Sequence, residues 1–469
     1  MSIGGTLLEV SNVRKRKPAP LVAQHDNEAQ LKRANEPVRL AIPYHAFYGG
    51  KIEIVAKCAV RSIDDFAIWY TPGVAEPCKA IQKDPELAYE YTNKWNSVAV
   101  VSDGTRVLGL GDIGPLAGLP VMEGKAMLFK YLGGVDAFPI CLDTKEPDQI
   151  VQAVKWLAPS FGGVNLEDIS QPKCFDILDR LRDEMKIPVW HDDQQGTATI
   201  VLAALMNSLK LVGKKLDEVN IAMIGAGAAN IAISRLIIAA GVDIRRIVMT
   251  DSQGILEPGR KDLETGHPQK LTMALHSNQE GKRGKDREAM EGADVVIAAS
   301  RPGPGVITPD MVGSMASDAI LFATANPVPE IWPWEAKQAG ARIVATGRSD
   351  FPNQVNNSLV FPAVFRGALD VRARKITDEM CVAAALELAG MAEETGLTED
   401  HIVPSMADWE VFPREAAAVG MKAIEQGIAR KRMSRQELVE RARAIIMRSR
   451  DQTEALMRGG FIRPAPELP

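Results

Sequence analysis

Two adjacent carboxylates, Asp192 and Asp193, follow the apolar run Ile187-Pro188-Val189-Trp190. Gln194, Gln195, Gly196 and an apolar helical pattern from Thr199 to Leu211 come after them. This reads as a strand ending in a loop that opens a helix, where an α/β unit gathers polar groups. About twenty residues earlier, Leu166-Glu167-Asp168-Ile169 repeats the device. Either pair alone reads equally well as helix caps and solvated loop charge. Together, each bracketed by apolar residues, they favour a hard divalent cation, Mn²⁺ or Mg²⁺, which takes carboxylate oxygens and water. Lys125 follows Gly124 at what reads as a helix start near Pro120. The helix dipole disfavours a cation there and lowers its pKa, the direction a general base needs. Tyr70 stands in Trp69-Tyr70-Thr71-Pro72-Gly73, strong turn punctuation that leaves a phenol both packed and accessible. Most tyrosines so placed serve packing.

These residues need elements to carry them. Ser97–Ser102 reads as a buried strand, followed by an Asp103-Gly104 turn and a second hairpin strand. The Gly-rich run Gly109-Leu110-Gly111-Asp112-Ile113-Gly114 comes next; no helix opens at once after it, so it does not read as a nucleotide loop. Strands over 135–142, up to Leu166 and from Ile187 alternate with helices over 147–158 and 175–186, which predicts parallel sheet. A second unit starts with strand 219–224, the turn Gly225-Ala226-Gly227-Ala228-Ala229-Asn230, a helix to Ala240, and a strand ending at Asp251. Strand, Gly-x-Gly turn, helix, second strand and terminal acid form the dinucleotide fingerprint, with Asn230 in the third glycine's place. The glycines let backbone approach a pyrophosphate at a helix N-terminus. Further strands over 293–298, 319–323 and 341–345 bring Ser300, Asn326, Asn353, Asn356 and Asn357 to carboxyl-end loops. Residues 261–285 read as a surface excursion. From about Asp370 the chain is helical, with Ser434 and Glu437 a capping box.

The expected fold class is α/β. An N-terminal α/β substrate and metal domain spans 39–196, and a doubly wound Rossmann-type dinucleotide-binding domain spans 197–370. A flexible arm over 1–38 precedes them, and a helical segment over 371–469 packs back on the core. A net charge of −5 and 25% charged residues give no reason to expect nucleic acid or a membrane as partner. The basic run Arg14-Lys15-Arg16-Lys17 lies beside prolines and reads as a solvated arm. No apolar run approaches the roughly 18 residues that a membrane span requires. Five scattered cysteines without a CxxC pair point to free thiols in a reducing compartment, hence a cytoplasmic protein.

In this order the motifs resemble those of the malic enzymes, specifically the shorter bacterial type. The matching stretches are Tyr70-Thr71-Pro72-Gly73-Val74-Ala75, Gly109 to Pro115, Glu123-Gly124-Lys125-Ala126, Leu166 to Ile169, His191 to Ala198, Gly225 to Ala229, and Ala325-Asn326-Pro327-Val328-Pro329-Glu330. The resemblance implies oxidative decarboxylation of L-malate to pyruvate and CO₂ through oxaloacetate and enolpyruvate, with NADP or NAD and with Mn²⁺ or Mg²⁺. It implies Lys125 as base for the C2 hydroxyl and Tyr70 as the acid that protonates C3. Glu167, Asp168 and Asp193 match the metal ligands, with Asp192 a supporting acid. Gly225, Ala226, Gly227, Ala228, Ala229, Asp251 and Ser300 are the expected cofactor-binding residues. Asn326, Asn356 and Asn357 match substrate-contacting amides, and Arg106 stands where larger members place an arginine for a malate carboxylate. A homo-oligomer, at least a dimer, is implied as well. Asp251 suits a ribose 2′-hydroxyl and would repel a 2′-phosphate, which Arg260 and Lys261 could offset, so the choice between NAD and NADP is open. Some bacterial members carry a long C-terminal phosphotransacetylase-like domain; none is read within this sequence, and regulation through one is not expected.

Other classes fit parts of this inventory. A non-decarboxylating NAD(P)-dependent 2-hydroxyacid or amino-acid dehydrogenase needs no acidic quartet. An adenosylmethionine-dependent methyltransferase could use the Gly-x-Gly turn and Asn326-Pro327-Val328-Pro329. A catalytically silent dinucleotide sensor would have no use for Tyr70, Lys125 and all four acids.

Overall fold

The computed structural model describes residues 36–467, so most of the arm expected over 1–38, including Arg14–Lys17, lies outside the described residues. Residues 36–48 are helical and belong with 465–467 to one unit, while 50–464 form another, which carries every candidate site residue.

Four buried runs make the first sheet: β1 (Ser97–Ser102), β2 (Asp136–Cys141), β3 (Gly163–Leu166) and β4 (Val189–His191), in the order β2-β1-β3-β4 and parallel throughout. Val98 to Val101 of β1 are fully buried, as both-face coverage of a parallel sheet demands. Pro139, which donates to no ladder, sits on edge strand β2. The helices between these strands are α1 (Gly114–Gly133), α2 (Pro147–Leu157) and α3 (Lys173–Glu184). After β4 the chain makes one wide π-helical turn, Asp192–Gly196, and runs without a break into α4 (Thr197–Val212). The loop expected there is this turn, a feature common at functional sites.

The second sheet carries β5 (Ile221–Ile224), β6 (Ile247–Asp251), β7 (Gly254–Ile255), β8 (Val295–Ala298), β9 (Ile320–Ala323) and β10 (Ile343–Thr346). Its order is β10-β9-β8-β5-β6-β7, parallel except for the short edge strand β7, with α5 (Ala228–Ala239) following β5. This is the expected α/β class with a Rossmann-type sheet. Helices α6 (Phe361–Asp370), α7 (Asp378–Thr395), α8 (Val411–Glu425) and α9 (Arg435–Arg458) complete the unit. The tail packs back on α1 and α6: Ser449 of α9 donates to the Lys130 carbonyl at 2.9 Å, and Arg441 reaches Asp370 at 2.7 Å. The capping box at Ser434 and Glu437 forms as expected.

Helix α4 lies between α5 and α7, which explains why apolar residues cover it all round. With the preceding turn it is the described helix long and apolar enough to cross a bilayer, yet 72% of that window is buried inside the protein.

Two local expectations fail. The hairpin after Asp103-Gly104 is absent, and only an isolated bridge joins Val107 to Gly111. The Arg106 amide instead donates to the Asp168 carbonyl at 3.1 Å, and Thr105 Oγ1 accepts from the Ser170 amide at 2.9 Å. The segment is thus stitched to the loop after β3. Helix α1 also begins at Gly114, not near Pro120, because Pro115 takes the start position that suits proline and Pro120 falls inside.

Candidate active site

Glu167 and Asp168 leave the end of β3, Asp192 and Asp193 form the start of the π turn after β4, and Lys125 reaches them from α1. Lys125 Nζ lies 2.5 Å from Asp192 Oδ2 and 3.0 Å from Glu167 Oε1, and 4.3 Å above the Phe361 ring. Asn165 Nδ2 donates to Glu167 Oε2 at 2.7 Å, and Trp190 Nε1 to Asp192 Oδ1 at 3.2 Å, so both acids are oriented from behind. Gly196 is obligatory here, since a Cβ would sit 2.0 Å from Asp192 Oδ1.

Lys125 is not at a helix N-terminus, and its pKa moves opposite to the expected direction. Burial works against its charge, but Asp192 and Glu167 outweigh burial and hold the ammonium above the usual lysine range. Burial pushes the Asp192 carboxyl up to about 7 against the pull of Lys125. Glu167 is pushed up to about 7 by burial, again opposed by Lys125 and reinforced by Asp193. Burial, with Asp193 and Glu167 adding repulsion, carries Asp168 up to about 9. Asp193 rises to about 6, chiefly by burial.

One oxygen from each of Glu167, Asp168 and Asp193 lies within 4.8 Å of the others. Asp168 holds a left-handed backbone, φ +96°, and its buried Oδ2 has no hydrogen-bond partner. Converging oxygens, mutual repulsion and an orphaned carboxylate oxygen fit a hard divalent cation. The π turn packs against α5, which places the acids beside the helix that follows the glycine turn.

That turn is built for close approach. Gly225 has φ +97°, and a Cβ on it would meet the Ala299 carbonyl at 2.9 Å and Ser300 at 3.1 Å. Gly227 precedes α5, with Ala228 and Ala229 in its first turn and Ala226 buried behind. Asn230, where a third glycine is usual, is buried and donates to the Ile224 carbonyl at 3.0 Å and the Gly225 carbonyl at 2.7 Å, bracing the turn. Asp251 ends β6, held by Arg260 at 2.8 and 3.1 Å and by Lys270 at 3.0 Å. Lys270, from the stretch read as a surface excursion, is thus a second cation on Asp251 beside Arg260.

The remaining residues divide. Arg106 is close enough to pull the Asp168 and Asp193 carboxyls down, while its Nη1 donates to the Leu108 carbonyl at 2.6 Å. Asn326 is half-buried, its carbonyl 2.7 Å from where a Gly109 Cβ would stand, so the Gly109 loop lies against the loop after β9. Asn357 packs 3.1 Å from a would-be Gly196 Cβ, beside the acids. Asn356 spends its amide on the Gly347 carbonyl and the Ser358 amide, which braces its loop. Tyr70 is not drawn into the cluster: it is 70% exposed and makes no hydrogen bond through its hydroxyl among the described residues. Asn165, Trp190 and Glu330 were not singled out from sequence. The first two carry a period-two signal, two residues before an acid on a strand, and Glu330 closes the matching stretch that starts at Ala325.

Fold and site together are those of an α/β protein of the dinucleotide-binding class, with a carboxylate cluster whose π turn packs against the helix that follows its glycine turn. Residues 49–147 and 144–182 match the malic enzyme N-terminal domain, and 194–424 the malic enzyme NAD binding domain. A bifunctional malic/malolactic enzyme of Bacillus subtilis is 50% identical over 86% of this chain and 97% of its own. An NAD-dependent malic enzyme of Geobacillus stearothermophilus is 51% identical over 82% of this chain and 78% of its own. The crystal structure of Entamoeba histolytica malic enzyme superposes with a TM-score of 0.89 at 46% identity, covering 96% of this chain and 93% of that one. The chain belongs to the malic enzyme family, which disfavours the non-decarboxylating dehydrogenase, methyltransferase and silent-sensor readings.

Proposed function

We propose that the protein oxidises and decarboxylates L-malate to pyruvate and CO₂, reducing NAD or NADP, at the cluster of Lys125, Glu167, Asp168, Asp192 and Asp193. One observation carries the reading: a buried lysine locked to two acids beside a three-carboxylate cage that the π turn joins to the cofactor helix. Glu167, Asp168 and Asp193 would hold Mn²⁺ or Mg²⁺. Such an ion, when bound, polarises the C2 oxygen, stabilises the charge left by decarboxylation, and opposes the carboxylates that keep Lys125 protonated.

Lys125 takes the C2 hydroxyl proton, and Asp192, 2.5 Å away, steadies the ammonium that results. The Gly225–Ala229 turn and the Ser300 loop would hold the dinucleotide, which when bound would supply the acceptor for the C2 hydride. Loss of the C4 carboxylate as CO₂ leaves an enolate, and Tyr70 delivers a proton to C3. The hydroxyl proton held by Lys125 then restores Tyr70, so protons balance. Arg106, Asn326 and Asn357 bind and orient the malate carboxylates, and Asn356 holds their loop.

Tyr70 acts from a second copy in a homodimer or larger oligomer. Its segment is apolar and exposed, with Ile54 86%, Ile63 83% and Ile68 63% exposed, a surface that a second subunit would cover. Five unpaired cysteines support a cytoplasmic site of action. Steady-state assays with malate, Mn²⁺ and either NAD or NADP test the reading, with CO₂ and pyruvate quantified against reduced cofactor. One CO₂ per reduced cofactor, abolished by a chelator, is expected. Reduced cofactor without CO₂ would sink it.

A further inference from the structure

Glu330 closes the run Ala325-Asn326-Pro327-Val328-Pro329-Glu330 after β9, and nothing in the proposed chemistry uses it. Its side chain is wholly buried and meets no cation among the described residues. Three donors converge on it from two loops. Oε1 accepts from the Ser300 amide at 2.9 Å and from Ser300 Oγ at 3.1 Å, and Oε2 accepts from the Ala325 amide at 3.1 Å. Its own carbonyl accepts from the Gly305 and Ile307 amides at 3.2 Å each. A buried carboxylate without a counter-charge costs folding free energy, and an apolar pair would hold two loops more cheaply if holding were all that mattered.

What the two loops border gives the arrangement its meaning. Ser300 abuts the fingerprint turn, 3.1 Å from where a Gly225 Cβ would stand. Asn326, next to Ala325, meets the Gly109 loop on the substrate side. One carboxylate therefore sets the spacing between the loop at the cofactor turn and the loop at the substrate. We infer that Glu330 is a positioning residue that aligns the nicotinamide end of the cofactor with the substrate by clamping the Ser300 and Asn326 loops together. The inference rests on the function proposed above.

The isosteric change Glu330→Gln tests it, because a side-chain amide cannot accept on both sides. Its NH₂ must face either the Ala325 amide or the Ser300 donors, so one loop is released while the other stays held. Binding would be measured by calorimetry for NADH or NADPH, whichever the wild-type protein binds more tightly, and for the matching adenosine half, 5′-AMP or 2′,5′-ADP. The adenosine half answers chiefly to Asp251 at the end of β6, which is held by Arg260 and Lys270 and, among the described residues, makes no hydrogen bond to Glu330 or Ser300. The dinucleotide is expected to weaken about tenfold and the adenosine half by less than about twofold, with kcat for malate falling more than KM rises. Glu330→Asp, too short to span both loops, should show the same split and carries the measurement if the Gln variant does not fold. Equal weakening of both ligands would mark Glu330 as a plain fold anchor and overturn the inference, as would no change in either. A wild-type protein that bound neither ligand would instead sink the reading of the site itself.

Discussion

Replacing Asp168 by Asn removes one negative charge at almost no change in volume, and Asn tolerates the φ of +96° that Asp168 adopts. In the metal-free protein that charge is a burden. Burial, then Asp193 and Glu167, raise the carboxyl to about 9, against about 3.9 in an unfolded chain. For an acid raised on folding, the stability present below the unfolded pKa is lost as pH climbs toward the folded one. A tenfold change in an ionisation equilibrium is worth about 1.4 kcal/mol, so even a hundredfold change makes the ionised state cost about 3 kcal/mol near pH 8. Buried His191, held down to about 3 by burial and Lys125, works the opposite way as pH falls below about 6.5. Lys125, raised, titrates above this window. His191 and Lys125 act alike in the two proteins, whereas Glu167 and Asp192, pushed up to about 7, and Asp193, to about 6, lose stability in the same sense as Asp168 as pH climbs through this window. Removing the Asp168 charge also relieves Glu167 and Asp193, which repel it, so the difference between the two proteins reads that charge together with its repulsion. Thermal unfolding at pH 5 and pH 8, with EDTA and with excess Mg²⁺, reads it directly. In EDTA at pH 8 the variant should melt a few degrees above wild type. The gap should narrow toward pH 5, and Mg²⁺ should raise the wild type only. A variant that melts below wild type at pH 8 in EDTA would refute the electrostatic argument, and equal stabilisation of both by Mg²⁺ would refute the cage.

Lys125→Ala and Tyr70→Phe should each abolish pyruvate formation, yet co-expressed they should recover about a quarter of wild-type activity, because half of the random dimers then carry one intact site of two. No recovery would place Tyr70 and Lys125 of the same copy in one site. Arg260→Ala removes a cation and frees an edge of Asp251 for a ribose hydroxyl, so the NADP-to-NAD ratio of kcat/KM should fall about tenfold. An unchanged ratio would take Arg260 out of the adenosine ribose subsite. Gly196→Ala drives a methyl group into Asp192, 2.0 Å from Oδ1, and should cost at least about a hundredfold in kcat while cofactor binding, measured by NADH or NADPH fluorescence, persists. Near-normal turnover would mean that Asp192 can move without consequence.

The parts legible in sequence are those whose chemistry sits in contiguous residues at a strand end. Glu167-Asp168, Asp192-Asp193 and the Gly225–Asn230 turn each announce themselves because the parallel sheet delivers strand ends to one edge, whatever lies between. The parts that misled depend on partners far along the chain. Lys125 reads as a dipole-tuned lysine because Pro120 looks like a helix start. Its ionisation is in fact set by Asp192, 67 residues away, and no local pattern carries that distance. The Asp103-Gly104 signal is a sound hairpin cue, yet Arg106 and Thr105 find their partners at Asp168 and Ser170, and tertiary bonds override the turn. Asn230 looks like a lapse in the fingerprint and is a brace, because the rule counts backbone clearance and not the two carbonyls an amide can hold. Tyr70 marks the boundary of this kind of reading. Its motif is clear, yet its side chain is exposed, and on the shared-site proposal the exposed apolar segment around it is the surface that would carry it to Lys125 of a second copy. If Lys125→Ala and Tyr70→Phe complement one another, the contact that completes the site lies between copies, where no pattern in one sequence records it.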